Sequence, residues 1–396
     1  MRIGMILDNV FPPDDRVFKE ALTLINNGHE VFLLCYGNKI QSKAESWKGI
    51  TINRTNLSIN LGKKLLGLIF VLPFYKWFWS SQINRFVEKH TIDVLHVHDL
   101  PLCKPAIIVK KRKGIKLVCD MHEDFADWIL NTPLYNVGFK KVLRVFQNWK
   151  GYEEECLSQC DLVIGVSTPL VDKMINSYNL EISKVINVPN TPDLSVFDIK
   201  NIDLSIQTEM NAYYNVVYSG MIDELRGLQY IIPLINKIKE KIPNIRLLIV
   251  GSGKYLEELK SLTNEYNVES YVHFTGFLPI ETVAAYIALS KVGIYPQKKY
   301  NGIDETLPTK IFQYCAMGIP VISSDHLLPR EFINKNNCGF LVNFVASPED
   351  FIDRLFEMYS NEDKRKEMGL NGKEAVLNTY NWHSTVQPLV KFYSNL

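Results

Sequence analysis

Apolar runs of strand length recur along this chain, each followed by turn residues and then by a helical pattern, and that alternation leaves few folds open. Residues 1–7 (MRIGMIL), 30–36 (EVFLLCY), 93–99 (DVLHVHD), 116–122 (KLVCDMH), 161–167 (DLVIGVS) and 184–190 (KVINVPN) form a first series. Strands that are apolar nearly throughout are buried on both faces, so the stretches between them must cover two sides of a parallel sheet with helices. The stretch 15–27 reads as such a helix, with Val17, Ala21, Leu22, Leu24 and Ile25 on one face and Gly28 closing it. The rhythm restarts at 215–220 (NVVYSG) and runs through 245–253, 271–276, 292–296, 320–324 and 338–342, with helices expected around 228–241 and 254–265. The fold class expected is α/β, with two Rossmann-like doubly wound parallel-sheet domains facing a cleft. Residues 192–211 are polar and weakly periodic, as a linker would be. The tail 381–396 reads as a helix carrying Trp382, Val386, Leu389, Val390 and Phe392.

A chain of 396 residues exceeds one ordinary hydrophobic core, which agrees with two domains. A formal net charge of +1 gives no global pointer to nucleic acid, so any anion site must come from local placement of Lys, Arg or helix ends. The seven cysteines are scattered and contain no CxxC pair. Cys156 and Cys160 lie one helical turn apart, but no second pair completes a zinc set, and reduced, buried thiols in a cytoplasmic protein are the expectation. The N-terminus reads as a strand rather than a signal peptide. The apolar stretch 65–74 (LLGLIFVLPF) is flanked by Lys63, Lys64 and Lys76 and followed by Trp77 and Trp79. It is too short to span a bilayer, and suits either a buried helix or one lying in a membrane interface with lysines on lipid phosphates.

Ligands of doubly wound sheets bind beyond the carboxyl ends of the strands. The residues there are 8–16, 98–99, 122–123, 219–226, 251–253, 276–277 and the loop 300–310. The most informative stretch is 305–325 (ETLPTKIFQYCAMGIPVISSD). A polar loop with Glu305 enters a helix near Pro308 or Thr309, Gly318 ends that helix, and PVISS is a buried strand. Proline suits a first helical turn, whose exposed amides and dipole form an anion site, here beside a carboxylate. Taken alone, the same residues are better described as an ordinary strand–loop–helix with Glu305 solvated.

That stretch resembles the signature of the family 4 retaining glycosyltransferases, which have the GT-B fold: a Glu, seven residues, a second Glu, then a helix ending in Gly-x-Pro-Val. Glu305 matches the first Glu, Gly318, Pro320 and Val321 match the end, and Gln313 stands at the second Glu. In that family the first Glu lies near the transferred sugar and the second holds the ribose hydroxyls. Gln313 still donates and accepts, without the strength of a charged bond. YSGMIDELRGL (218–228) resembles the family's phosphate loop, Gly-Arg-x-x-x-x-Lys-Gly. Gly220 and Gly227 match, Arg226 replaces the Lys with a fork suited to phosphate, and Met221 replaces the Arg. An Arg near a helix start opposes the dipole, so a bound anion explains Arg226 better than a surface cation does. The turn in VGSGKYLEEL (250–259), with Gly251, lacks the third Gly of a dinucleotide fingerprint. HFTGFLP (273–279) matches a loop that borders the nucleotide base, with Phe277 or Leu278 closest, and an apolar turn describes it nearly as well.

In the first half, 11–31 and 117–128 also resemble family members. His122 matches a histidine that follows a strand and faces the donor sugar, with Glu123 beside it, and Arg16 begins a helix from which it reaches phosphate or acceptor. His96 and His98, two apart on a strand, face one side and with Asp99 and His122 suggest a metal site. No HExxH or further His–Asp pair supports a hydrolytic centre, and no metal is expected.

The resemblance covers nearly the whole chain. It implies an acceptor-side domain 1–195, with the helix 380–396 packing back on it, and a nucleotide-sugar-binding domain 196–379. It further implies transfer of a sugar from a nucleotide-diphosphate sugar to a glycan or lipid-linked glycan, with retention, without metal or other cofactor, in cell-surface polysaccharide assembly. Glu305 and His122 are then the catalytic residues that orient sugar hydroxyls. Gly220, Arg226, Gly251, Phe277, Leu278, Thr309, Lys310 and Gln313 bind donor, and Arg16 and Glu123 lie on the acceptor or phosphate side. The segment 63–79 and the basic 138–150 (GFKKVLRVFQNWK) suit peripheral contact with the inner face of the cytoplasmic membrane. Rival readings are a non-catalytic homologue, kept alive by Gln313 and Met221, and a sugar-nucleotide epimerase or phosphorylase of the same architecture. The missing fingerprint disfavours an NAD-dependent enzyme.

Overall fold

The computed structural model describes residues 1–12, 14–37, 42–70, 72–131, 148–197, 204–299 and 308–396, so Glu305 and residues 138–147 lie outside the described residues. The chain divides into two compact units, Met1–Pro189 with Val386–Leu396, and Asn190–Thr385.

The strands of the first unit are β1 (Arg2–Val10), β2 (Glu30–Gly37), β3 (Ala44–Trp47), β4 (Ile50–Ser58), β5 (Val94–His98), β6 (Lys116–Met121), β7 (Leu162–Gly165) and β8 (Val185–Asn187). Among the described residues they form one sheet in the order β3-β4-β2-β1-β5-β6-β7-β8, parallel except where β3 meets β4. Helices lie between the strands, as the continuous apolar runs require. The β3–β4 hairpin was not expected. β4 reads ITINRTNLS, with no apolar run and mixed alternation, and its turn is made by Lys48 and Gly49, both with positive φ. Positive φ at both turn positions matches the right-handed twist of the paired strands. Within the polar interior of β4, Arg54 pairs with Glu45 and donates to the carbonyl oxygens of Phe11 and Ser42.

Of the apolar stretch 65–74, Leu65 and Leu66 end the helix Ile59–Leu66, and Phe74 opens the helix Phe74–His90. The second buries Tyr75, Trp79, Ile83 and Val87, at a spacing of four, and leaves Phe74 and Trp77 exposed. The expected terminal helix 381–396 is likewise two, Trp382–Thr385 and Gln387–Ser394. Pro388 explains the break, since it has no N–H to donate and its ring clashes with the preceding turn. The Gln387–Ser394 helix belongs to the first unit and buries Leu389 and Tyr393. Side chains alternate across the sheet. Leu95 and Val97 of β5 join Leu117, Cys119 and Met121 of β6 in one core, while His96, His98 and Asp120 take the opposite face.

The second unit carries β9 (Tyr214–Ser219), β10 (Ile245–Val250), β11 (Val272–Gly276), β12 (Val292–Tyr295), β13 (Val321–Ser324) and β14 (Gly339–Val342). All pairs are parallel, in the order β11-β10-β9-β12-β13-β14. One hydrophobic cluster takes Val216, Leu247 and Ile249 from β9 and β10, and another takes Val217, Leu248 and Val250, so both faces are covered. The expected helix 228–241 starts as two short 3₁₀ turns and becomes α-helical only at Ile235–Lys241, because Pro233 interrupts the ladder.

Candidate active site

In the second unit, Gly220 follows β9 with φ +124° and Gly251 follows β10 with φ +143°. A Cβ on Gly251 would stand 2.0 Å from the carbonyl oxygen of Gly220, so the two loops touch backbone to backbone. Their own amides are committed: Gly220 N–H donates to Val250 O at 2.9 Å and Gly251 N–H to Gly276 O at 3.0 Å. These glycines allow close approach and leave anion contacts to other groups.

Arg226 ends a 3₁₀ turn, Glu224–Arg226, just before Gly227. Its Nε–H donates to Asp223 Oδ2 at 3.1 Å and its Nη1–H to Gln297 Oε1 at 3.0 Å. Gln297 is buried and its backbone oxygen is 3.0 Å from His326 Nε2, which anchors the partner that aims the guanidinium. Gly227 has φ +72°, and a Cβ there would lie 1.7 Å from the carbonyl oxygen of Pro296. The Gly227→Ala variant is therefore expected to lose about 2 kcal/mol or more of stability and to displace Arg226. An unchanged urea midpoint for that variant would contradict the close approach.

The helix Thr309–Ala316 starts after Pro308 without a side-chain cap among the described residues, and Ile311 N–H in its first turn donates to Pro308 O at 3.1 Å. Lys310 sits in that first turn. Its Nζ donates to Tyr218 Oη at 3.1 Å and lies over the rings of Tyr218 and Tyr295, 4.4 Å and 5.6 Å from their centroids. A Cβ on Gly220 would be 3.3 Å from Lys310 Nζ, so glycine makes room for the ammonium. Among the described residues no carboxylate pairs with Lys310. Desolvation first, and then the charge of Arg226, push this ammonium well below the ordinary lysine value. Thr309 Oγ1 donates to Asn190 O at 3.2 Å. Gln313, one turn further on, is half-buried. Phe277 stands 77% exposed after β11, and Leu278 packs against the core below it. Tyr218, Tyr295 and Gln297 were not singled out from sequence. Their only signal was a polar or aromatic residue at the end of an apolar run.

In the first unit, His122 follows β6 and sits over Asp120. Its Nε2–H donates to Asp120 Oδ2 at 2.8 Å, and Nδ1 is 3.5 Å from Asp99 Oδ2. Glu123 beside it is half-buried. Asp120 is fully buried and takes a bidentate fork from Arg16, Nε at 2.8 Å and Nη2 at 2.7 Å. Arg16 also donates to Val188 O at 2.9 Å and lies 3.0 Å from Glu20. Expected on the phosphate or acceptor side, Arg16 is instead 4% exposed and neutralises internal carboxylates. His96, on the same face, is 3.3 Å from Glu20 and 3.0 Å from Tyr393 Oη. The structure thus brings Arg16 and His122 together through Asp120, and in the other unit brings Gly220, Arg226 and Lys310 together.

Burial pulls the His122 imidazole down, but Asp99 and Asp120 outweigh it and hold it up at about 10. Burial likewise raises Asp120, and Arg16 and then His122 outweigh it, leaving that carboxyl well below the usual range. The contribution of His122 to stability is complete below its unfolded value of 6.5 and is lost as pH climbs through about 10. That of Asp120 is present above 3.8 and is lost in stronger acid. Urea unfolding should therefore show stability falling between about pH 7 and about pH 10, and the fall should shrink in His122→Gln. An equal slope in both proteins would remove the charged pair.

The family model for glycosyl transferases group 1 matches residues 205–375, and that for glycosyltransferase family 4 matches residues 16–196. A GDP-mannose-dependent alpha-(1-6)-phosphatidylinositol monomannoside mannosyltransferase of Mycobacterium tuberculosis is 28% identical over 169 residues, 42% of this chain and 44% of that protein. The chain thus matches less than half the length of that relative. An uncharacterized glycosyltransferase of Methanocaldococcus jannaschii is 23% identical over 391 residues, 93% of this chain and 90% of that one. Among solved structures, the sucrose-phosphate synthase of Thermosynechococcus elongatus superimposes with a TM-score of 0.77 at 16% identity, covering 100% of this chain and 98% of that chain. The Anabaena protein HepE in complex with UDP does so with a TM-score of 0.70 at 14% identity, covering 100% of both. With one family model on each unit and this fold in its structural neighbours, the chain belongs to the family 4-like glycosyltransferases of GT-B fold.

Proposed function

We propose that the chain transfers a sugar from a nucleotide-diphosphate sugar to a glycan or lipid-linked glycan acceptor, with retention at the anomeric carbon and no metal at the chemistry. Lys310 carries this reading: an ammonium beside the Tyr218 phenol and two rings, with no carboxylate in direct ion-pair contact among the described residues, and depressed by burial and then by Arg226. Such a cation is costly when alone and favourable beside an anion. When the bond between the anomeric carbon and the diphosphate breaks, positive charge grows on the sugar and negative charge on the leaving phosphate. Lys310 and Arg226 are already placed and partly desolvated, so they stabilise the leaving charge with little reorganisation. The first amides of the Thr309–Ala316 helix add their dipole. Gln313 is assigned to ribose hydroxyls and Phe277 with Leu278 to the base. Glu305 and His122 keep the sugar-orienting roles that the resemblance implies. The mannosyltransferase relative is GDP-mannose-dependent and HepE was solved with UDP, which supports a nucleotide-sugar donor.

Thermal shift with a panel of UDP- and GDP-sugars tests the reading. A true donor at a hundredfold excess over its dissociation constant adds about 2.7 kcal/mol of stability. No shift with any of them, together with no transfer, would overturn it. Met221 favours a second reading, a non-catalytic homologue: it is 63% exposed at the position where the family carries Arg. Nucleotide-sugar binding without turnover is the signature of that alternative.

We assign donor binding to 196–379 and acceptor recognition to 1–195 with the return helix. Among the described residues no helix is long and apolar enough to cross a membrane. Leu61, Phe74 and Trp77 are 48%, 51% and 61% exposed in a segment that also carries Lys63, Lys64 and Lys76. They support peripheral contact with the inner face of the cytoplasmic membrane during cell-surface polysaccharide assembly. Flotation with anionic vesicles at low salt should carry the protein upward. The double variant Phe74→Ser, Trp77→Ser should reduce the bound fraction about fivefold or more. Absence of flotation at low salt removes the membrane part.

A further inference from the structure

Cys119 lies on the face of β6 opposite Asp120, and three further cysteines converge there from separate segments. Cys103 opens the helix Cys103–Lys113, Cys156 lies in the last turn of the helix Trp149–Leu157, and Cys160 follows in the turn before β7. All four are unpaired thiols in the core, and none is more than 4% exposed. The sulfurs of Cys103 and Cys160 are 3.6 Å apart. Those of Cys103, Cys119 and Cys160 lie within 4.8 Å of one another; Cys156 is buried beside this trio but stands outside that spacing. The sequence contains only the Cys156–Cys160 pair at ligand spacing; β6 and the start of the Cys103–Lys113 helix supply the rest.

Zinc bound by thiolates has Zn–S distances of about 2.3 Å, which sets tetrahedral sulfurs about 3.8 Å apart. A disulfide needs about 2.05 Å between its sulfurs, so Cys103, Cys119 and Cys160 are near the spacing of co-ligands rather than bonded partners. We propose that Cys103, Cys119 and Cys160 form a structural Zn²⁺ site in the core of the first unit, with the neighbouring Cys156 drawn in as the fourth ligand. Each ligand binds as a thiolate. Four S–H protons pass to bulk solvent, four Zn–S bonds replace the bonds from zinc to water, and no electron moves. Because the metal binds as the chain folds, a fully buried site needs no entry channel.

The second buried cluster, Glu20, His96, His98 and Asp120, is a poorer home for a cation, because the Arg16 guanidinium already contacts both carboxylates. The thiol site takes no part in sugar transfer. Its effect is positional: Cys119 immediately precedes Asp120, so a metal there fixes the strand that orients His122.

The test uses the full chain, purified without a metal-affinity step and under reducing conditions. Elemental analysis should find about one zinc per chain, and refolding with Co²⁺ in place of Zn²⁺ should give the visible absorption of cobalt–thiolate coordination. Cys103→Ser and Cys160→Ser should each lower metal content at least about tenfold, and His122→Gln should leave it unchanged. If the serine variants do not fold, the zinc content and cobalt spectrum of the unaltered chain decide alone. Zinc below about a tenth of an equivalent, with no cobalt–thiolate absorption after refolding, overturns the site. So does a Cys103–Cys160 disulfide, seen as a mass loss of about 2 Da.

Discussion

Replacing Lys310 with alanine is expected to lower kcat/KM for sugar transfer about a hundred- to a thousandfold while the second unit stays folded. Among the described residues the side chain makes one hydrogen bond, to Tyr218, and otherwise rests over two rings. Removing it deletes a desolvated cation rather than a structural tie, so the urea midpoint should hold or rise slightly. Arg226→Ala should have a comparable effect on transfer. The double variant should lose less than the sum of the two in free energy, because both charges act on one diphosphate. The depressed ammonium also sets a pH dependence. Donor affinity should weaken as pH rises past the lowered Lys310 value, earlier than an ordinary lysine would cause, and Lys310→Ala should lack that limb. Wild-type turnover and nucleotide affinity in Lys310→Ala would sink the assignment of the phosphate site.

Arg16→Met is expected to cost about 3–5 kcal/mol of stability in urea unfolding of the whole chain. Arg16 is 4% exposed, and Glu20 and Asp120 are both 0% exposed. Without the guanidinium these carboxylates lose their shared counter-charge, and Asp120 loses both prongs of its fork. Arg16→Lys should recover little of the loss, since one ammonium cannot reproduce the Nε–Nη2 pair and also reach Val188 O. A loss below about 1 kcal/mol in Arg16→Met would mean that the His122 imidazolium neutralises the layer without Arg16.

The sequence made these features legible to different degrees. Strands buried on both faces leave uninterrupted apolar runs, so β1, β2, β5, β6 and the whole second sheet stand out. β4 buries the polar Asn53, Arg54 and Thr55, with partners as distant as Phe11 and Lys89, and so left no such trace. The start of the Thr309–Ala316 helix was visible from Pro308 and the following apolar periodicity. The seat of Lys310 between Tyr218 and Tyr295 depends on the pairing of β9 with β12, which no local pattern records. Arg16 misled for a related reason: its position at a helix start suggested a ligand, while its partner Asp120 lies 104 residues away. The cysteines show the same limit, because spacing revealed one pair and register brings it to the others.

The helix Gln387–Ser394 completes the first unit, burying Tyr393 beside His96. Synthesis and assembly are therefore out of step. After residue 189 the ribosome must add about two hundred residues before Tyr393 emerges, about ten to forty seconds at ordinary translation speeds. For that interval the histidine–carboxylate layer of the nascent first unit stays uncovered on one flank, open to water and to chaperones.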